Sequence, residues 1–236
     1  MIYWLEDIYT RFYNAIIPDK RYLAYLEGLQ ITLTISLFAV ILGVCIGIFI
    51  AILKVAGNNS KNKLVKFMGK LGSIYVTVVR GTPLIVQLLI IYSAFFTSRT
   101  SNPKIAGIVC FGINSGAYVA EIFRAGIESI DIGQTEAGRS LGLSAFKTMW
   151  HIILPQAIKN ILPALGNEFI VLVKETSVVS IIAVSDLTKQ ASFVVSRTFD
   201  VLPPYIITAA MYLIIVIILT FLLNQFEKRL KRSDKR

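Results

Sequence analysis

Twenty-five consecutive residues, Leu29–Leu53 (LQITLTISLFAVILGVCIGIFIAIL), contain no Asp, Glu, Lys or Arg. About 20 apolar residues suffice for a helix to cross a bilayer core. No irregular backbone survives in lipid without its hydrogen bonds, so a run of this kind specifies a membrane-spanning helix. Four further stretches are apolar enough to extend the reading to five spans, roughly 26–54, 67–97, 105–128, 161–184 and 204–226. The expected fold is therefore all-α and integral to the membrane. The fourth span is the weakest, because Glu168, Lys174 and Glu175 interrupt it. Charged residues make up 16% of the chain, where a soluble domain carries about 25%. The first twenty residues lack the basic start and short apolar core of a cleavable leader. Trp4, Tyr9 and Tyr13 instead suggest a segment at the interface, over 1–25. Within the first span, Gly43 and Gly47 suit close approach by another helix.

Lysine and arginine set the orientation. Fifteen of the 24 lie on one side of this five-span arrangement, in the loop after span one, between Arg124 and Lys159, and in the tail from 228 to 236. Seven lie on the other, and Arg80 and Lys174 fall inside spans. The N-terminus is expected outside and the C-terminus in the cytoplasm. The net charge of +10 follows mostly from this asymmetry and needs no nucleic acid to explain it; anionic lipid can bind the tail. Cys45 and Cys110 make no disulfide framework, and the single histidine, His151, makes no metal site.

Between spans three and four lies a segment too polar to cross the membrane, 131–158. Gly142 divides it into two short predicted helices. Pro155 and Pro163 mark boundaries before span four. Phe146, Met149, Trp150 and Ile153 recur at helical spacing, which makes a face to pack under the bundle or an anchor set for a partner's groove. Polar residues also occur inside the spans. Asn114 and Glu121, seven apart, share a helix face with Tyr118, and Gln87 on span two lies about as deep as Asn114. Ionisable groups at membrane depth face an interior or a water-filled path. Two readings stand for Glu121: a stripe for a zwitterionic ligand, or an ion pair with Arg80 or Arg124. Pro83 removes a backbone donor and frees the carbonyl of Val79, giving either a packing kink or a break that faces a ligand.

The polar segment reads Glu136-Ala137-Gly138, three residues, Gly142, nine residues, Ile152, one residue, Leu154-Pro155. This resembles the cytoplasmic signature of ABC importer permeases, with Gly138 replacing the second alanine. Arg80–Tyr92, Asn114–Ile127 and Pro163–Ser180 are similar to the polar amino acid branch of that family. The resemblance implies a coupling helix at Glu136, Ala137, Gly138, Gly142, Phe146, Trp150, Leu154 and Pro155 docked on a separate ATPase. It also implies a second permease copy or a sister permease, an extracytoplasmic amino-acid-binding protein, and a prokaryotic cell membrane. ATP and Mg belong to the partner chain: no phosphate-binding loop is present here, since Phe146 stands where the second glycine would precede Lys147-Thr148. The permease domain is expected over 26–227. An ion-gradient-driven transporter is the alternative, although no internal repeat is evident. A membrane enzyme lacks a nucleophile with its base. Glu121 suits a basic amino acid, while the surrounding motif also resembles that of glutamine and glutamate permeases.

Overall fold

A computed structural model describes residues 2–98 and 101–232; Arg99, Lys235 and Arg236, counted above, lie outside them. The described residues form helices and no strand. Helix α1 (Ile2–Ile16) leads through a short turn into α2 (Arg21–Asn59). Asp19 and Lys20 take left-handed conformations in that turn, so the first turn of α2 already lies within the expected interfacial segment. Then come α3 (Lys63–Gly81), α4 (Leu84–Phe95) and α5 (Pro103–Glu128). Two short helices, α6 (Ile132–Ser140) and α7 (Ala145–Thr148), precede a π-helical turn at Met149–Ile153. The chain continues as α8 (Leu154–Glu175), a 3-10 stretch (Thr176–Ile182), α9 (Leu187–Thr198) and α10 (Leu202–Arg232). The basic stretch from 228 thus extends the last helix through Arg232.

The core is built around α2 and α5. Contacts advance together along both helices, Ile35 beside Gly107, Gly43 beside Ser115 and Gly47 beside Val119, so the two run parallel. Parallel neighbours require the chain to return between them, and α3 with α4 makes that return. Small residues let the pair close. A Cβ on Gly43 would lie 2.8 Å from Ser115, and one on Gly47 2.4 Å from Val119 Cγ1. Without a hydrophobic drive between helices in lipid, this close packing is the main source of association. Ile35, Leu88, Phe111, Leu172 and Val179 bury one apolar cluster from five elements. Most other large apolar side chains of α2 and α10, such as Phe49 and Phe221, are exposed, as lipid-facing residues must be.

The second expected span is broken. Pro83 has no N–H, and the residue before a proline is pushed out of the α region. Thr82 is accordingly extended (φ −118°, ψ 146°), and α4 leaves α3 at 110°. Among the described residues, three helices are long and apolar enough to cross a membrane, or four if this bent pair is one span. Helix α8 falls short of that test through its polar residues. It nevertheless runs antiparallel to its neighbours: Ile161 meets Gly126 and Glu168 meets Ser115, as the numbering of α5 falls. Pro163 corrects the sequence reading, because it lies inside α8 rather than at its boundary. The helix instead starts at Leu154 with Pro155 in its first turn, where a missing donor costs nothing.

Helix α1 is tied to the link before α10. Arg11 Nε and Nη2 donate to Asp200 Oδ2 and Oδ1 at 2.6 and 2.8 Å. The guanidinium holds the Asp200 carboxyl below its ordinary range, chiefly through this hydrogen bond. A depressed carboxyl stabilises above its unfolded pKa of about 3.9 and loses that contribution as pH falls through the lower folded value. Backbone hydrogen exchange in α1, corrected for intrinsic rate, should therefore be constant from neutral pH to about 5 and faster below about 4. Asp200→Asn should show the faster exchange at every pH.

Candidate functional site

Toward the C-terminal end of α5, residues of α3, α5 and α8 line an open pocket of about 420 Å3. Its polar lining is Arg80, Tyr118, Glu121, Arg124, Asn167 and Glu168. Each element presents polar residues for a local reason. Arg80 is in the last turn of α3, just before the break at Pro83. Tyr118, Glu121 and Arg124 follow at intervals of three along α5 and so share one side of it. Asn167 and Glu168 stand midway along α8.

The charges are unequally partnered. Glu121 Oε1 accepts from Lys54 Nζ at 2.6 Å, and its Oε2 accepts from Arg124 Nη2 at 2.8 Å. Arg80 approaches Glu121 only to 3.7 Å and lies over the Tyr118 ring at 5.1 Å. Three cations thus surround Glu121, which is the ion-pair alternative of the sequence reading with Lys54 added. Glu168 is different. It is buried and accepts a 2.8 Å hydrogen bond from Ser115 Oγ. Among the described residues it forms no ion pair. A carboxylate at membrane depth without a cation is costly.

Asn114 and Gln87 come together but do not line this cavity. Asn114 Nδ2 donates to Gln87 Oε1 at 3.0 Å. Gln87 Nε2 donates to the carbonyls of Val79 and Thr82, at 2.7 and 3.0 Å. The carbonyl freed by Pro83 is therefore satisfied by a side chain, and Asn114 anchors that side chain in turn. The break is braced from α5. Gln87→Leu leaves the Val79 carbonyl and the buried Asn114 amide without partners. It should lower thermal stability by about 1–3 kcal/mol, read as a shift in the melting midpoint of the purified protein.

The polar segment between α5 and α8 folds as a corner. Gly142 turns it with φ +78° and open space around it, so its requirement is conformational. Arg139 Nη1 donates to the Leu143 carbonyl at 2.8 Å across the turn. The expected apolar face divides in two. Ile153 is buried, whereas Phe146 and Trp150 are 74% and 57% exposed and stack on one another at 6.3 Å between centroids. Glu136 and Ala137 stand exposed on α6, Leu154 is partly covered and Pro155 is exposed in the first turn of α8. Gly138 is buried against the second half of the corner. A Cβ there would meet Thr148 Cγ2 at 2.7 Å and Ile152 Cδ1 at 3.0 Å. The π-helical turn at 149–153 follows directly. Gly138→Ala should cost about 1–3 kcal/mol by overpacking, and Thr148→Ser, which removes the clashing methyl, should restore part of it. Thermal melts of the single and double variants measure both.

Two residues of this site escaped the sequence reading in their roles. Lys54 reads in sequence only as a loop cation, although it is the first charge after the apolar run and so sits at the membrane edge beside Glu121. Ser115, beside Asn114, carries no signal in the sequence that it meets Glu168.

Spanning helices lining a two-signed pocket, and an exposed corner at one end of them, define a membrane transport component. The chain belongs to the family of inner membrane components of binding-protein-dependent transport systems, which matches residues 43–232. It is similar to the putative glutamine transport system permease protein GlnP of Rickettsia typhi, with 42% identity over 89% of this chain and 94% of that one. It is also similar to the arginine transport system permease protein ArtQ of Bacillus subtilis, with 38% identity over 94% and 98%. A crystal structure of an amino acid ABC transporter with histidines superimposes with a TM-score of 0.83 at 46% identity, covering 89% of this chain and 95% of that chain.

Proposed function

We propose that this chain is the permease subunit of an ATP-driven importer, and that it passes a polar amino acid, basic ones included, through the α3–α5–α8 cavity by alternating access. The observation that carries the proposal is the charge distribution in that cavity. Arg80 suits the α-carboxylate, and Glu168 lacks a cation that the side-chain ammonium or guanidinium group of a basic amino acid supplies. The cavity fits a zwitterion better than an inorganic ion because both signs are present on opposite walls. Glu121 has a different part in this proposal: with Lys54 and Arg124 it fixes the wall that orients Arg80.

The corner from Glu136 to Pro155 is the surface for a separate ATPase subunit, which would bind ATP and Mg. Phe146 and Trp150 are its anchors, since exposed aromatic side chains are the residues that fill a partner's pocket at interfaces. The chain crosses the membrane five times, as α2, α3 with α4, α5, α8 and α10. This places the N-terminus outside and the corner and C-terminus in the cytoplasm. A second permease copy or a sister permease completes the channel, and an extracytoplasmic binding protein delivers substrate. The similarity to glutamine and arginine permeases supports this substrate class, and the cytoplasmic excess of basic residues supports the orientation.

Binding of each of the twenty amino acids to the purified permease–ATPase complex tests the substrate. Cationic amino acids should bind, and Glu168→Gln should weaken them about 10- to 100-fold, the loss of one charge-assisted hydrogen bond. Neutral glutamine should change much less. An equal loss for every amino acid would return Glu168 to a structural role.

A further inference from the structure

Two shallow grooves run down the N-terminal half of α2, one on each side of a ridge made by Gln30 and Thr34. The larger, about 490 Å3, lies between α2 and the start of α5. At its head stand Glu27, Gln30, Asn102 and Lys104, and below them the walls turn apolar with Ile35, Phe38 and Ile108. The smaller, about 360 Å3, is walled by Leu26, Leu33 and Leu37. From Gln30 to Phe38 the descent along the helix is about 12 Å, so the grooves pass from the interface into the hydrocarbon layer. Glu27 and Lys104 are exposed and form no ion pair among the described residues.

We infer that this site holds one glycerophospholipid of the leaflet at the N-terminal end of α2, with its phosphate at Lys104, an amine of its headgroup at Glu27 and one acyl chain in each groove. The gradient of the lining from charged to apolar is the gradient of a lipid molecule. Two opposite charges at the head fit a phosphate and an ammonium group. Two apolar tracks that flank one ridge beside a polar head fit two chains. Annular lipid sliding over an evenly apolar helix would need none of these.

The test uses the whole importer complex, purified in mild detergent and washed extensively. Retained phospholipid is measured by phosphorus content and identified by mass spectrometry. The wild type should keep a stoichiometric, amine-bearing phospholipid. Lys104→Glu should strip it, and Lys104→Gln, a milder change, should deplete it if the reversed charge prevents assembly. Glu27→Gln should keep a phospholipid but lose the preference for the amine. Equal retention in wild type and both Lys104 variants, or none in the wild type, overturns the inference. Efficient disulfide-linked dimers through Phe38→Cys in a Cys45→Ala background also overturn it, because a second copy would then occupy the grooves.

Discussion

Gly47→Leu is expected to prevent this chain from accumulating in folded form. A Cβ at this position lies 2.4 Å from Val119 Cγ1 and 2.9 Å from the Gly116 carbonyl oxygen. The first contact is a β-branched side chain with one preferred rotamer in a helix. The second is backbone and cannot turn away. Relief requires α2 and α5 to separate along the seam on which the whole bundle is built. Overpacking of this kind costs about 1–3 kcal/mol for added methylenes, and more where backbone must move. That is a large share of a stability of about 5–15 kcal/mol. Gly81→Ala is the control, because nothing lies within 4 Å of its added Cβ. Detergent-extracted protein measured by fluorescence-detected size exclusion should be monodisperse for Gly81→Ala and aggregated or missing for Gly47→Leu. A Gly47→Leu protein that melts with the wild type would show that the α2–α5 seam is looser than described.

The second large effect concerns function without folding. Phe146 and Trp150 are exposed on the corner, and their stacked rings contribute nothing to the core. Phe146→Asp with Trp150→Asp should therefore leave the melting temperature nearly unchanged. Central aromatic anchors cost about 2–4 kcal/mol each when truncated, a loss of about 30-fold or more in affinity per residue. Co-purification of the ATPase subunit should fail, and substrate-stimulated ATP hydrolysis with it. Stimulation that persists in the double variant would place the joint elsewhere on the chain.

The sequence made some features legible because single residue types determine them. The uncharged run Leu29–Leu53 identified α2, Gly43 and Gly47 identified a seam, and Gly142 separated two short helices. Pro83 marked a break, but the 110° bend and the Gln87 brace across it depend on what α5 offers opposite, which no local pattern encodes. Pro163 misled for the converse reason: packing of α8 against α5 and α10 outweighs one missing donor. The polar residues of the cavity were visible one by one. Their pairing was not, since Lys54 and Glu121 are far apart in the chain and meet only when α2 and α5 run parallel. Glu168 stood out as a charge inside a span, yet its lack of a cation is a fact of three dimensions.

Uptake by proteoliposomes holding the purified permease, its ATPase and its binding protein tests the central claim most directly. With ATP and Mg enclosed on the ATPase side and no ion gradient, a labelled cationic amino acid should accumulate, and the Phe146→Asp, Trp150→Asp variant should not accumulate it. Accumulation driven by a sodium or proton gradient in liposomes without ATP would contradict the account and make this chain a self-sufficient carrier.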